Sequence, residues 1–335
     1  MVYVGIDVGG TNYRIGLIHK GKLITGTVHK GDTPKGTPND LVKAIGGSVH
    51  QIMETDHYAS LPQIQGIGIS FAGATNDQGV VWKAPNIWGH NVTHIPLATM
   101  VRDETGIPTT VINDMTAAAF REKHFGVGRD LNSFLIITVS SGVGAKQWRG
   151  NNIIQGEDGV TGEIGHFVID PFSTVRCGCG GFGHLESLAS GMAAEGFAQQ
   201  MATSDPAFFS QSILYLPAQR SPQNINNHML AEAAIRSDKL ALSVLDRVTM
   251  PLAMGINHVW AMSKPEKVII IGGFALNIGE PYFASLRRAL LKTGLFGVNA
   301  LTHDFLEKLI IRGTDDDSSG MIGAAAAAEA RNSQV

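Results

Sequence analysis

The spacing of apolar and polar positions changes period several times along the chain, and each change marks an element. Residues 2–8 (VYVGIDV) and 14–18 (RIGLI) are short β-rich runs joined by the turn GGTN, and HKGK at 19–22 reads as a second hairpin turn before LITGTV. Helical spacing follows over 38–55, where Leu41, Val42, Ile45, Val49, Ile52 and Met53 fall on one stripe. IQGIGIS (64–70) predicts a strand, 96–106 a short helix, and TTVIND (109–114) another strand running into the helical stretch MTAAAFREKHFG. Such alternation predicts α/β layering.

The pattern then restarts. SFLIITV (133–139) is a strand, SSGVG (140–144) a glycine turn, AKQW a strand, RGNN a turn and IIQG a strand, echoing the opening as a weak structural repeat. From 187 to 262 the chain is largely helical. KVIIIGGFAL (267–276) reads as a buried strand ending in a glycine turn, and SSGMIGAAAAAEARN as a closing helix. No low-complexity linker separates the halves.

A chain of 335 residues exceeds one comfortable core and suits two domains, which imply a cleft between them. Net charge −3, with 16% charged and 44% hydrophobic residues, describes a globular protein with no basic surface for nucleic acid or membrane. The N-terminus enters a strand at once, without the basic and apolar regions of a signal peptide, so a cytoplasmic location is expected. The longest apolar runs, 268–276 and the alanines 324–328, are too short to span a bilayer. The two cysteines, Cys177 and Cys179, stand too close together for a good disulfide. Metal binding and plain burial are the two readings left for them.

Three glycine turns follow strands: DVGGTN (7–12), TVSSGVG (138–144) and IIGGF (270–274). Each is either a tight hairpin or a turn whose bare N–H groups receive phosphate oxygens. Neither GxxxxGK[ST] nor GxGxxG occurs, which removes the main support for P-loop and Rossmann folds. Asp114, in INDMTAAA at a strand-to-helix junction, has two readings, a helix N-cap or a base that takes a proton from an attacking hydroxyl. DDDSSG (315–320) lacks the later acidic residue of a calcium loop and reads as a solvated helix cap. Trp88 and His90 in PNIWGH suit a pocket wall or core packing equally.

Taken in order, DVGGTNYRIGL, PNIWGH, INDMTAAA, TVSSGVG, GEIGH (162–166), CGCGGFGHLE (177–186) and VIIIGGF resemble the ROK family of sugar kinases and regulators over nearly the whole chain. The resemblance implies two actin-like (ribonuclease H-like) α/β domains around a nucleotide and sugar cleft. The domain expectation is a smaller one over 1–114 completed by the C-terminal helix 319–335, and a larger one over 115–318 with a zinc loop.

The resemblance also assigns roles. Asp7, Gly9, Gly10 and Thr11 match the first phosphate motif, with Asp7 organising Mg²⁺ through water. Ser140, Ser141, Gly142 and Gly144 match the second phosphate turn, and Gly272 and Gly273 the turn beside the adenosine of ATP. Asn113, Asp114, Glu163, His166 and Glu186 match the sugar ligands, with Asp114 as catalytic base; Gly73 belongs to the sugar-side loop SFAGATN, where the family usually carries Pro-Gly-Pro. His166, Cys177 and Cys179 match a zinc loop in which His184 stands where a third cysteine is usual, and imidazole is as acceptable to Zn²⁺ as thiolate.

The expected activity is therefore ATP- and Mg²⁺-dependent phosphorylation of a primary hydroxyl, O6, of a hexose or hexose-like polyol, with a structural Zn²⁺ and a homodimer implied by the resemblance. Glucose is the default acceptor, and an amino sugar or a carbocyclic cyclitol the alternative. A sugar-binding regulator without turnover is the rival. Such regulators carry a helix-turn-helix ahead of the first phosphate motif, which here starts at Asp7, and the kinase is preferred on that ground.

Overall fold

The computed structural model describes residues 1–55, 58 and 61–333. They form two compact units, one made of those within 1–131, 151–162 and 314–333, the other of 132–150 and 163–313. The last two residues of the helix expected over 319–335 lie outside the described residues.

In the first unit a six-stranded sheet runs in the order Lys22–Leu23, Asn12–His19, Val2–Val8, Ile64–Phe71 and Thr109–Asn113, with His29–Asp32 also paired to Asn12–His19. Val2–Val8 runs antiparallel to Asn12–His19 and parallel to Ile64–Phe71. Its side chains are almost all buried, as a central strand covered on both faces requires. The helix Pro38–Met53 is closed at its start by a reciprocal cap, Thr37 on the Asp40 N–H and Asp40 on the Thr37 N–H. LITGTV is not one strand: only Lys22–Leu23 and His29–Asp32 are extended.

The second unit repeats this scheme. Ser133–Val139 pairs antiparallel with Val143–Arg149 and parallel with Lys267–Ile271, which pairs parallel with Ile310–Arg312. The repeat read from the sequence is thus a repeat of topology: a hairpin closed by a glycine turn, then parallel strands added beside its first member. The 25-residue helix Lys239–Ser263 and the helices around it bury one continuous apolar cluster against this sheet.

The expected boundary after residue 114 is corrected. The helix Asp114–Phe125 belongs to the first unit, because it packs against the closing helix Ser319–Asn332 and its fully buried Glu122 accepts the N–H of Thr314 at 2.7 Å. Residues 151–162 also join this unit, where Gln155 donates to the Thr75 carbonyl at 2.8 Å. A small three-stranded sheet, Ala74–Thr75, Val81–Lys83 and Thr93–Ile95, carries no clear period in the sequence. Among the described residues no helix is long and apolar enough to cross a membrane.

Candidate active site and metal centre

In the first unit the turn after Val2–Val8 is closed by the Gly9 N–H donating to the Asn12 carbonyl at 3.0 Å. A Cβ built on Gly10 meets nothing nearer than Asn86 at 3.8 Å, so this glycine leaves open space and adopts no left-handed backbone. Asp7, next to the end of the strand, accepts the Ser70 hydroxyl on its carboxylate at 2.7 Å. Burial raises its pKa above the usual carboxylate range, against the opposing pull of Ser70 and of Arg14, its cross-strand partner. A buried carboxylate of this kind suits a water-bridged Mg²⁺, whose charge would offset the desolvation.

Gly320, in the first turn of the closing helix, lies against the same carboxylate. A Cβ there would stand 2.5 Å from Asp7 Oδ1. The DDDSSG stretch is a helix start, as expected, but its glycine also abuts Asp7, the carboxylate expected to organise Mg²⁺ through water, a contact that no local pattern signals.

Asn113, not Asp114, is the N-cap of Asp114–Phe125: its Oδ1 accepts the Met115 N–H at 3.0 Å and its Nδ2 donates to the Gly73 carbonyl at 3.2 Å. Gly73 and Asn113 are thereby tied together. Asp114 is the exposed first residue of the helix, with Oδ1 also taking the Met115 N–H at 2.8 Å. Trp88 belongs to the core, 7% exposed and 5.4 Å from the ring of Phe71, whereas His90 is exposed.

In the second unit two of the predicted turns meet. Ser140, Ser141 and Gly273 line one pocket of about 540 Å³, together with Asn227, His228, Glu232 and Asn277. Gly272 turns the chain there with φ of +96°, and a Cβ would lie 2.5 Å from the Val139 N and O atoms, so only glycine fits. Asn227, His228 and Glu232 escape sequence reasoning because they sit on the helix Asn227–Ile235, whose apolar stripe dominates the pattern, and Asn277 because the helix Gly273–Ile278 stands where the pattern reads as the end of a strand. A second pocket of about 610 Å³ is lined by Ser141, Gly142, Glu186 and Arg176; Glu163 and His166 are not among its walls. Glu186 Oε2 accepts the N–H of Val143 at 3.1 Å, fixing a carboxylate beside the second glycine turn.

His166, Cys177, Cys179 and His184 offer ligand atoms that all lie within 4.8 Å of one another. His166 ends the short helix Ile164–His166, and His184 precedes Leu185–Ala189. Cys177 is held by its N–H on the Gly181 carbonyl at 2.8 Å, and Gly180 donates back to Cys177 at 2.9 Å, a turn that brings Cys179 round. Cys177 Sγ is 3.7 Å from His166 Nδ1, and Cys179 Sγ 3.2 Å from His184 Nδ1. Tetrahedral zinc needs ligand separations of roughly 3.3–3.8 Å, so the set fits after a contraction of about 1 Å at its widest. Burial pushes the Cys177 thiol up, so a metal here would have to draw off that proton. Cys177 Sγ also lies 3.7 Å from Glu186 Oε1, joining the loop to that carboxylate.

A sequence profile of the ROK family matches residues 3–331. The chain is 31% identical over 339 residues to a C(7)-cyclitol 7-kinase of Streptomyces hygroscopicus subsp. limoneus, covering 97% of this chain and 93% of that protein. It is 28% identical over 291 residues to a glucokinase of Thermotoga maritima, covering 86% of each. A ROK family glucokinase from Streptomyces griseus, solved in complex with glucose and AMPPNP, has a TM-score of 0.75 and 27% identity, covering 98% of this chain and 100% of that one.

Proposed function

Because the chain belongs to the ROK family and has its actin-like ATPase fold, we propose that this sugar kinase transfers the γ-phosphoryl group of ATP to a primary hydroxyl, O6, of a hexose or hexose-like polyol. Glucose is the default acceptor. The observation that supports the reading is Glu186 Oε2 accepting the Val143 N–H at 3.1 Å, a carboxylate beside the second glycine turn.

In this reading the pocket lined by Ser140, Ser141 and Gly273 receives the nucleotide, with Gly272, Gly142 and Gly144 shaping its turns, and Asp7, Gly9, Gly10 and Thr11 serve the terminal phosphate. Asp114 takes the proton of the attacking hydroxyl as the oxygen–phosphorus bond forms and ADP leaves. Asn113, Glu163, His166 and Glu186, with Gly73, bind the hydroxyls; a misplaced hydroxyl leaves a carboxylate unpaired, which is how such a set discriminates stereochemistry. Asp7 would hold Mg²⁺ through water, and the ion would supply charge neutralisation. His166, Cys177, Cys179 and His184 would hold Zn²⁺, tying the segment bearing His166 to the one bearing Glu186 with no part in the chemistry. A homodimer is part of this reading, and sedimentation tests it.

A carbocyclic acceptor is the second reading, favoured by the likeness to the cyclitol kinase over nearly the whole chain. A coupled ADP-release assay across hexoses, amino sugars and cyclitols separates the two by the acceptor of highest kcat/KM. Tight sugar binding with no acceptor-dependent ADP release would overturn both in favour of a regulator.

A further inference from the structure

The segment after the strand His29–Asp32 does something that strand pairing does not require. Thr33, 3% exposed, donates its N–H to the Thr11 carbonyl and its hydroxyl to the Gly9 carbonyl, both at 2.8 Å. Two residues on, the Lys35 ammonium donates to the Gly10 carbonyl and, at 2.7 Å, to the Asn86 carbonyl. Three consecutive carbonyls of the first glycine turn are thus taken by one short strap, with Pro34 stiffening the backbone between the two donors.

Peptide planarity converts this into a direction. In a trans peptide the carbonyl of one residue and the N–H of the next point oppositely, so holding the carbonyls of Gly9, Gly10 and Thr11 toward the strap turns the following N–H groups away from it. Among the described residues the N–H groups of Gly10 and Thr11 have no acceptor. They form the kind of concave donor set that receives an anion. An ammonium has three donors, and two are used here. Lys35 is exposed, and among the described residues no carboxylate pairs with it. Its hold on the turn is therefore on the carbonyl face, opposite the free N–H groups.

We infer that Thr33–Pro34–Lys35 sets the direction of the first phosphate turn by holding its carbonyl face, so that its N–H groups are aimed at the terminal phosphate of a nucleoside triphosphate. Thr33 and Lys35 are both positioning residues. The inference rests on the assignment of this turn to the terminal phosphate in the reading above.

The test measures binding of Mg²⁺–ADP and of the non-hydrolysable Mg²⁺–β,γ-imido analogue of ATP by calorimetry, with turnover measured alongside, for wild type and for Lys35→Met, Lys35→Gln, Lys35→Arg and Thr33→Val. Loss of the ammonium's charge-assisted hold on the Gly10 carbonyl, which frees the turn to rotate, should weaken the analogue roughly ten- to hundredfold in Lys35→Met and Lys35→Gln, with ADP affected less than about threefold. Lys35→Arg, which keeps the charge, should recover much of that selectivity. Thr33→Val should show the same selective loss to a smaller degree. Equal weakening of ADP and analogue in both Lys35 variants, or no weakening, overturns the inference while an active wild type leaves the kinase reading standing. A wild type that binds the analogue no better than ADP and turns over no acceptor overturns both.

Discussion

Replacing Gly320 by alanine tests the link between the closing helix and Asp7, the carboxylate proposed to organise Mg²⁺. The new Cβ would stand 2.5 Å from Asp7 Oδ1 and 2.6 Å from its Cγ, whereas ordinary contact begins at 3.4 Å, so about 0.9 Å of movement is required. Asp7 cannot yield freely, because its side chain is short and the struck oxygen is the one that the Ser70 hydroxyl holds at 2.7 Å. Either that hydrogen bond breaks or the helix start withdraws from the strand end. A misplacement of this size at a catalytic centre costs on the order of 10²-fold in rate, so kcat should fall about 10- to 100-fold. Stability should change less: overpacking costs about 1–3 kcal/mol, offset by up to ~1 kcal/mol of helix propensity. The assay is ADP release with the preferred acceptor, read beside a thermal melt. Gly47→Ala is the control, since it sits in the helix Pro38–Met53 with nothing within 4 Å of its Cβ and should leave activity unchanged. A Gly320→Ala protein with kcat within about twofold of wild type would refute the argument that Asp7 must keep its position.

Three further outcomes are expected. Asp114→Asn should keep sugar affinity within about tenfold and lose roughly 10²-fold or more in kcat, because a carboxamide can hydrogen-bond a hydroxyl without taking its proton; near-normal kcat would remove Asp114 from the base role. Burial raises the pKa of Asp7, so its contribution to stability is present below the ordinary carboxylate range and lost as pH rises through the raised folded value. Asp7→Asn should accordingly raise the melting temperature of the ligand-free protein at neutral pH while abolishing turnover, and an unchanged or lower melting temperature would show that Ser70 and Arg14 outweigh burial. Metal analysis of wild type should find about one Zn²⁺ per chain, retained in His184→Cys and lost in His184→Ala; zinc held tightly by His184→Ala excludes that histidine.

The sequence by itself determined those features whose physics is local. The alternation in Val2–Val8 and Ser133–Val139 and the helical stripe of Pro38–Met53 are set by residues a few positions apart, and these elements lie where the pattern predicts. Cys177, Cys179 and His184 lie within eight residues of chain, whereas His166 joined the expected set through the family resemblance; the glycine turns were legible as turns. Tertiary packing decided the rest. That Asp114–Phe125 joins the first unit depends on Glu122 reaching Thr314, and the carbonyls of the first glycine turn are held by Thr33 and Lys35, more than twenty residues on. Gly320 meets Asp7 only because an alanine-rich helix from the far end of the chain packs closely on the first strands, and Asn227 reaches the pocket of Ser140 through a helix whose periodicity reports its buried face alone. Each of these contacts joins residues distant in sequence, so its position follows from how the layers pack and leaves no period along the chain to be read.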